Sequence, residues 1–198
     1  WKVCFFALAC NCRRYYRRAV FIADIILNNK LNAAADEVMR AYEKGQPVLI
    51  GNADIDISEE FSELLKDRGV PHTVLNAKND ELEAEIVKNA GMPGAVTVST
   101  NMTGRGVDIK LGGDDEKYHD ETAEKGGLYV ICTFMAESSR INNQLYGRAG
   151  RQGDPGQSRL FVSLDEEIMD IFDLKKNSGR HYPEEATSEE IDDKVLSK

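Results

Sequence analysis

Pro47-Val-Leu-Ile-Gly-Asn-Ala-Asp-Ile-Asp-Ile-Ser-Glu-Glu-Phe-Ser-Glu-Leu-Leu-Lys-Asp-Arg-Gly-Val-Pro-His-Thr-Val-Leu75 runs through a strand, a helix and a second strand. Pro47 to Ile50 is a short apolar run, the pattern of a buried strand. Ser58 is expected to open a helix that carries Phe61, Leu64 and Leu65 on one face and stops at Gly69. His72 to Leu75 is the next strand.

The same alternation continues on both sides. Upstream, Leu31, Ala34, Ala35, Val38, Met39 and Tyr42 recur at helical spacing, with Asn28 or Asn29 as N-cap and Gly45 as the stop. Downstream, Asp80 with Glu83 forms a capping-box signature for a helix bearing Leu82, Ile86 and Val87, closed by Gly91. Ala95 to Ser99, Leu128 to Cys132 and Arg159 to Leu164 read as strands, Glu137 to Tyr146 and Glu166 to Phe172 as helices. Nearly continuous apolar strands alternating with helices predict an α/β fold with a parallel sheet covered on both faces, because parallel strands need crossover connections and become buried. Gly112 to Lys125 is polar, lacks an apolar period and is expected to be a solvent-exposed connection.

Three regions follow: an irregular segment over 1–27, one α/β domain over 28–173, and an acidic tail over 174–198. The tail carries too little apolar surface to offset its ordering entropy and alone would be disordered or a frayed helix. The N-terminal segment is either an edge strand or sequence foreign to the fold. Its apolar stretch Val3 to Cys10 is too short to span a bilayer, and Arg13, Arg14, Arg17 and Arg18 follow that stretch, the reverse of a signal peptide. Trp1 at the start and the lack of a helix-ending signal near Lys198 predict a piece of a longer protein.

A net charge of −9 argues against broad binding to nucleic acid, since counterion release requires a basic surface. Cys4, Cys10, Cys12 and Cys132 show neither Cys-x-x-Cys spacing nor disulfide-scaffold density, which fits a reducing compartment and suggests no metal site. His72, His119 and His181 are scattered and receive no role, and Asp165-Glu-Glu167 reads as a charged helix start.

Chemistry concentrates in two loops. Gln144-Leu-Tyr-Gly-Arg-Ala-Gly-Arg-Gln-Gly-Asp-Pro-Gly156 sets Arg148 and Arg151 among glycines that let backbone approach a ligand, and guanidinium forks match phosphate oxygens. A surface turn with two solvated arginines is the plainer alternative. Ser99-Thr-Asn-Met-Thr-Gly-Arg-Gly-Val-Asp-Ile109 follows a strand, at the end where open α/β sheets bind ligands. There Gly104 and Gly106 flank Arg105, and Asp108 can accept from a sugar hydroxyl or orient an arginine; an Arg105–Asp108 ion pair in a plain turn is the alternative.

Taken together, Thr100 to Ile109 and Gln144 to Gly156 closely resemble motifs V and VI of SecA, the bacterial motor ATPase of preprotein export. Gly45 to Gly51, Val74 to Lys78, Glu81 to Val87 and Leu160 to Asp165 extend the resemblance over roughly residues 28 to 173, and Glu184 to Lys198 is similar to the stretch that leads into the family's long scaffold helix. The resemblance implies the second of two RecA-like domains, related to the C-terminal half of superfamily-two helicases, with ATP and Mg2+ between the halves. It implies that Arg148 and Arg151 are arginine fingers, that Arg105, Gly104, Gly106 and Asp108 lie on the nucleotide side, and that Gln144 helps sense phosphate. Implied partners are the N-terminal nucleotide-binding half, the Sec channel and an unfolded preprotein, at the cytoplasmic face of the plasma membrane, with peripheral membrane association and no specific nucleic acid.

No Gly-x-x-x-x-Gly-Lys-Ser/Thr loop and no Asp-Glu-x-Asp run occur, so the chain alone is expected not to hydrolyse ATP. Tyr146, Phe134-Met-Ala136 and Ser139 stand where the family carries charged or polar residues, and Thr103 and Val107 are milder departures, which suggests a divergent or accessory SecA. The competing readings are the C-terminal domain of a nucleic-acid helicase and a degenerate non-catalytic module.

Overall fold

The computed structural model describes residues 4–6, 16–24, 27–75, 83–100, 108–113, 117–134, 139–163 and 189–190. In chain order they form β1 (Cys4–Phe6), β2 (Tyr16–Asp24), α1 (Leu27–Glu43), β3 (Val48–Asn52), α2 (Ile55–Asp67), β4 (Thr73–Leu75) and α3 (Glu83–Asn89), followed by β5 (Val96–Thr100), α4 (His119–Glu124), β6 (Leu128–Cys132), α5 (Ser139–Tyr146), β7 (Gly156–Ser163) and β8 (Glu189–Glu190). The strands make one sheet in the order β1-β2-β7-β6-β3-β5-β4. Every pairing from β2 to β4 is parallel, while β1 and β8 join β2 antiparallel. The expected parallel α/β sheet is present.

Strand alternation gives the sheet two buried faces. On one, Val48 and Ile50 of β3, Val98 of β5 and Ile131 of β6 pack against Leu31, Ala35 and Val38 of α1 and Phe61 and Leu65 of α2. On the other lie Leu49, Val130 and Leu160, all buried. There α5 crosses the end of β3: a Cβ on Gly51 would stand 2.4 Å from Leu145 Cδ2, so glycine is what lets the helix approach. Arg68 ties the two helices of the first face together, its Nε donating to Asp36 Oδ1 (3.0 Å) and its Nη2 to Asn32 Oδ1 (2.8 Å).

Local chemistry sets the boundaries of α2, and it corrects the sequence reading. Asp54 is the N-cap, its Oδ1 accepting from Ile57 N at 2.9 Å, so the helix begins at Ile55 and Ser58 lies buried inside it. The other end closes as expected at Gly69. With φ 69°, Gly69 takes the left-handed C′ position, its N–H reaching Lys66 O at 2.9 Å and that of Val70 reaching Leu65 O at 2.9 Å.

Three further differences have physical causes. The connection over 112–125, expected to be solvent-exposed, contains α4; within that helix the buried residue is Thr122, too little to leave an apolar period in the sequence. Residues 16–24, in the segment read as irregular with an edge strand left open, form β2 on the parallel edge of β7, in register from Val20↔Arg159 to Asp24↔Ser163. Residues 189–190 of the acidic tail pair with β2. Helix α1 starts at Leu27, ahead of Asn28 and Asn29, and β7 starts at Gly156, three positions before Arg159. Asp80 and the helix expected over 166–172 lie outside the described residues, as does the rest of the tail.

Candidate functional site

In a parallel sheet the strands all point one way, so β3, β5 and β6 end along one edge. Asn52 at the end of β3 sits in register with Thr100 at the end of β5. Thr133, just past β6, extends the ladder by donating its N–H to Gly51 O at 3.0 Å, and its Oγ1 donates to Asn52 Oδ1 at 2.6 Å. Lys30 reaches the same edge from α1 and donates its Nζ to Thr133 O at 2.7 Å, although the residue is only 3% exposed. A buried ammonium needs such acceptors. Neither Lys30 nor Asn52 was signalled by the sequence, because each reads as one polar position within an ordinary helix or strand pattern.

The arginine loop leaves α5 beside this edge. Arg148 N and Ala149 N donate to Leu145 O (3.1 Å) and Tyr146 O (3.1 Å), which continues the last turn of α5 and places Arg148 directly past the helix. Ala149 is buried and anchors the loop, while Arg148 and Arg151 are half-buried. Arg151 donates from Nη1 to Asp108 Oδ1 (2.6 Å) and from Nε to Gly147 O (2.7 Å), and Gln152 donates from Nε2 to Asp108 Oδ2 (3.1 Å). One carboxylate thus holds two consecutive residues of the other loop. The arginine that Asp108 contacts is Arg151. Gln144 lies exposed on α5. Gly104, Arg105 and Gly106 lie outside the described residues.

The far side of the loop is fixed by close backbone approach. A Cβ on Gly127, whose φ is 70°, would lie 1.8 Å from Pro155 O. Beside it, His119 of α4 places Nε2 at 2.8 Å from Asp154 Oδ1 and Nδ1 at 3.1 Å from Asp120 Oδ1. The bond to Asp154, then that to Asp120, raises its pKa above the ordinary 6.5, against a smaller lowering by burial. His72 has structural partners, Ser62 Oγ at 2.7 Å and Val70 O at 2.9 Å.

Two of the departures noted in the sequence are core positions. Tyr146 is 4% exposed and Phe134 9%, so both pack inside the domain. Residues 135–138 lie outside the described residues. Cys132, next to Thr133, is fully buried, which pushes its thiol well above the ordinary value. The donors gathered here, guanidinium groups and an amide, suit the oxygens of a phosphate. They do not suit Mg2+, which requires oxygen ligands, and among the described residues no three His, Cys, Asp or Glu side chains cluster as a metal site would require. Among them, too, no helix is long and apolar enough to cross a membrane.

The sequence matches the family model of the SecA P-loop domain over residues 20–124 and 115–180. The chain belongs to the SecA family. It is 57% identical over 145 residues to a protein translocase subunit SecA of Campylobacter concisus, covering 73% of this chain and 16% of that protein. Against the SecA of Heliobacterium modesticaldum it is 54% identical over 150 residues, 76% of this chain and 17% of that protein. The chain therefore spans about a sixth of the length of these SecA relatives. Among solved structures, the Escherichia coli DEAD-box protein SrmB, bound to regulator of ribonuclease activity A, matches with a TM-score of 0.57 at 16% identity, over 91% of this chain and 92% of that one. Domain 2 of the DEAD-box helicase Mss116p, bound to an RNA duplex, matches with a TM-score of 0.59 at 16% identity, over 83% and 64% of the two chains. At that identity the likeness concerns the fold, which is that of RecA-like helicase domains.

Proposed function

We propose that this domain is the second nucleotide-binding domain of a SecA-type ATPase and that it completes, with arginine fingers, an ATP site whose remaining parts belong to an N-terminal half. The observation that carries this reading is the Arg151–Asp108–Gln152 contact, which joins the two glycine-rich loops at the ligand-binding edge of the sheet. ATP, bound with Mg2+ mainly by the other half, supplies the phosphoryl group whose transfer to water drives the motor.

This chain's residues supply charge and orientation. Arg148 and Arg151 hold positive charge where negative charge grows on equatorial phosphoryl oxygens, a contribution of about a thousandfold or more in rate for arginine fingers. Asp108 fixes Nη1 of Arg151 and the Gly147 carbonyl fixes its Nε, so the planar fork is oriented before the halves close. Gln144, Arg105, Gly104 and Gly106 complete the nucleotide side. Closure on ATP would then move an unfolded preprotein through the Sec channel, with the protein peripherally attached at the cytoplasmic face of the membrane.

The test is ATPase activity of the chain combined with the N-terminal nucleotide-binding half of a SecA relative, with Sec channel or single-stranded RNA added in turn. Turnover only in the combined protein, stimulated by the channel and abolished by Arg148→Ala or Arg151→Ala, is the expected result. Turnover by the chain alone, or full activity in both variants, overturns the finger assignment. Stimulation by RNA in place of the channel selects the helicase reading, which the net charge of −9 disfavours.

A further inference from the structure

The contact between α4 and the arginine loop has no part in the reading above. His119 opens α4, and its ring bridges carboxylates from two parts of the chain, Asp154 of the arginine loop at 2.8 Å and Asp120 of its own helix at 3.1 Å. Ionised carboxylates only accept hydrogen bonds, so both ring nitrogens must donate, and only the imidazolium carries two N–H groups. Asp154 in turn donates its backbone N–H to Arg151 O at 2.8 Å. Arg151 is therefore held twice, by Asp108 at its side chain and through Asp154 at its backbone.

The support behind the histidine is rigid. A Cβ on Gly112 would lie 2.2 Å from His119 N, so the start of α4 is seated against the backbone after Asp108. Just past α4, Gly127 is seated equally closely against Pro155, the residue after Asp154. Thr122, fully buried, donates its Oγ1 to Tyr118 O at 2.7 Å and fastens the helix between these points. A ring carried on so short and pinned an element can transmit position to its partner.

We propose that His119 is a positioning residue for the arginine loop: as an imidazolium braced by Asp120, it holds Asp154 and thereby sets the place of the turn that carries Arg151. Its effect on turnover rests on the finger reading given above, whereas the contact and its effect on the loop do not. Among the described residues, the charged groups that reach the ring are Asp154, from the loop, and Asp120, from its own helix. Because these bonds favour the charged ring, the contact is complete at pH values below the ordinary histidine midpoint and is lost as pH rises through the raised one.

The test is a pH titration of the 15N-labelled chain by nuclear magnetic resonance, with ATPase assays of the combined two-half protein beside it. The expected result is a His119 midpoint above the ordinary 6.5, with the Gly150 and Gly153 amides and the Arg151 side-chain N–H moving at the same midpoint. In Asp154→Asn the His119 midpoint returns towards its ordinary value. In His119→Gln, which keeps a donor that cannot titrate, the loop signals no longer move over that range. In the combined protein, His119→Ala lowers kcat about tenfold with KM for ATP unchanged, less than the roughly hundredfold cost of a full ångström of misplacement, and His119→Gln restores part of it without the pH dependence. Loop signals that titrate unaltered in His119→Gln, or a His119 midpoint unmoved in Asp154→Asn, overturn the proposal. If Arg148→Ala and Arg151→Ala leave turnover intact while the titrations behave as stated, the finger reading fails and the positioning role stands.

Discussion

Phe61 and Arg151 sit in opposite surroundings. Phe61 is fully buried between α2 and the sheet, in a cluster that runs without a break from Leu31 to Phe161. Arg151 is 40% exposed at its side chain, its partner Asp108 41%, and hydrogen bonds to Asp108 and to Gly147 O hold the guanidinium. Dispersion and burial are insensitive to salt and pH; exposed charge pairs are sensitive to both and are worth little each. The face under α1 and α2 therefore secures the fold, while the described contacts of the loop edge are polar ones that cost little to break.

The sharpest separation of the two regions comes from Arg148→Ala. Turnover of the combined two-half protein should fall about a thousandfold, the scale of a lost arginine finger, while the urea midpoint of the chain stays where it was. Phe61→Ala should do the reverse. Truncating a fully buried phenylalanine costs about 3–5 kcal/mol, visible as a lower urea midpoint at unchanged slope. If Phe61→Ala lowered turnover at a concentration of urea where the variant is still folded, the division between the regions would be wrong.

Gly127→Ala probes the seam between them. Its φ of 70° disfavours any side chain, and the added Cβ would meet Pro155 O, a backbone atom that cannot swing aside. A loss of about 1–3 kcal/mol is expected, together with shifted Gly150 and Gly153 amides, because the loop must move to make room. A stability loss without loop movement would mean that the strain is absorbed on the β6 side.

The core face was legible in the sequence and the loop edge only partly, for reasons that follow from the same contrast. Phe61, Leu64 and Leu65 announce a buried helix face because burial repeats with the helical period. Gly45 and Gly69 mark helix ends because each takes a left-handed φ at the C′ position. Contacts at the edge have no period. His119 and Asp154 lie 35 positions apart and Asp108 and Arg151 lie 43 apart, so nothing local pairs them. Asp54 does not stand out as a cap in the sequence because Asp54-Ile-Asp-Ile57 alternates like a strand. Lys30 sits at a polar position of an amphipathic helix, and only the end of β6 shows that its ammonium is buried. Tyr146 stands where the family carries a charged or polar residue, but motif position does not say which way a side chain turns; it is a core residue.

The smallest expected effect is also the finest test of the comparison. Asp108→Asn keeps one acceptor oxygen, so the hydrogen bond to Arg151 survives in weaker form, and the part that is lost is the coulombic attraction together with the exposed bond from Gln152, which an amide nitrogen in place of Oδ2 cannot accept. With both side chains about two-fifths exposed, that part should be worth about 0.2–1 kcal/mol in the stability of the chain. The difference between wild type and variant should shrink as salt is raised towards 1 M, where the screening length falls to about 3 Å. Arg151 in the variant should then respond more readily to phosphate analogues, seen as larger shifts of its side-chain N–H in the presence of ADP and beryllium fluoride with the N-terminal half. A difference of several kcal/mol, or one that salt leaves untouched, would place the Asp108–Arg151 contact with the core, and the loop edge could not then be described as held by contacts that cost little to break.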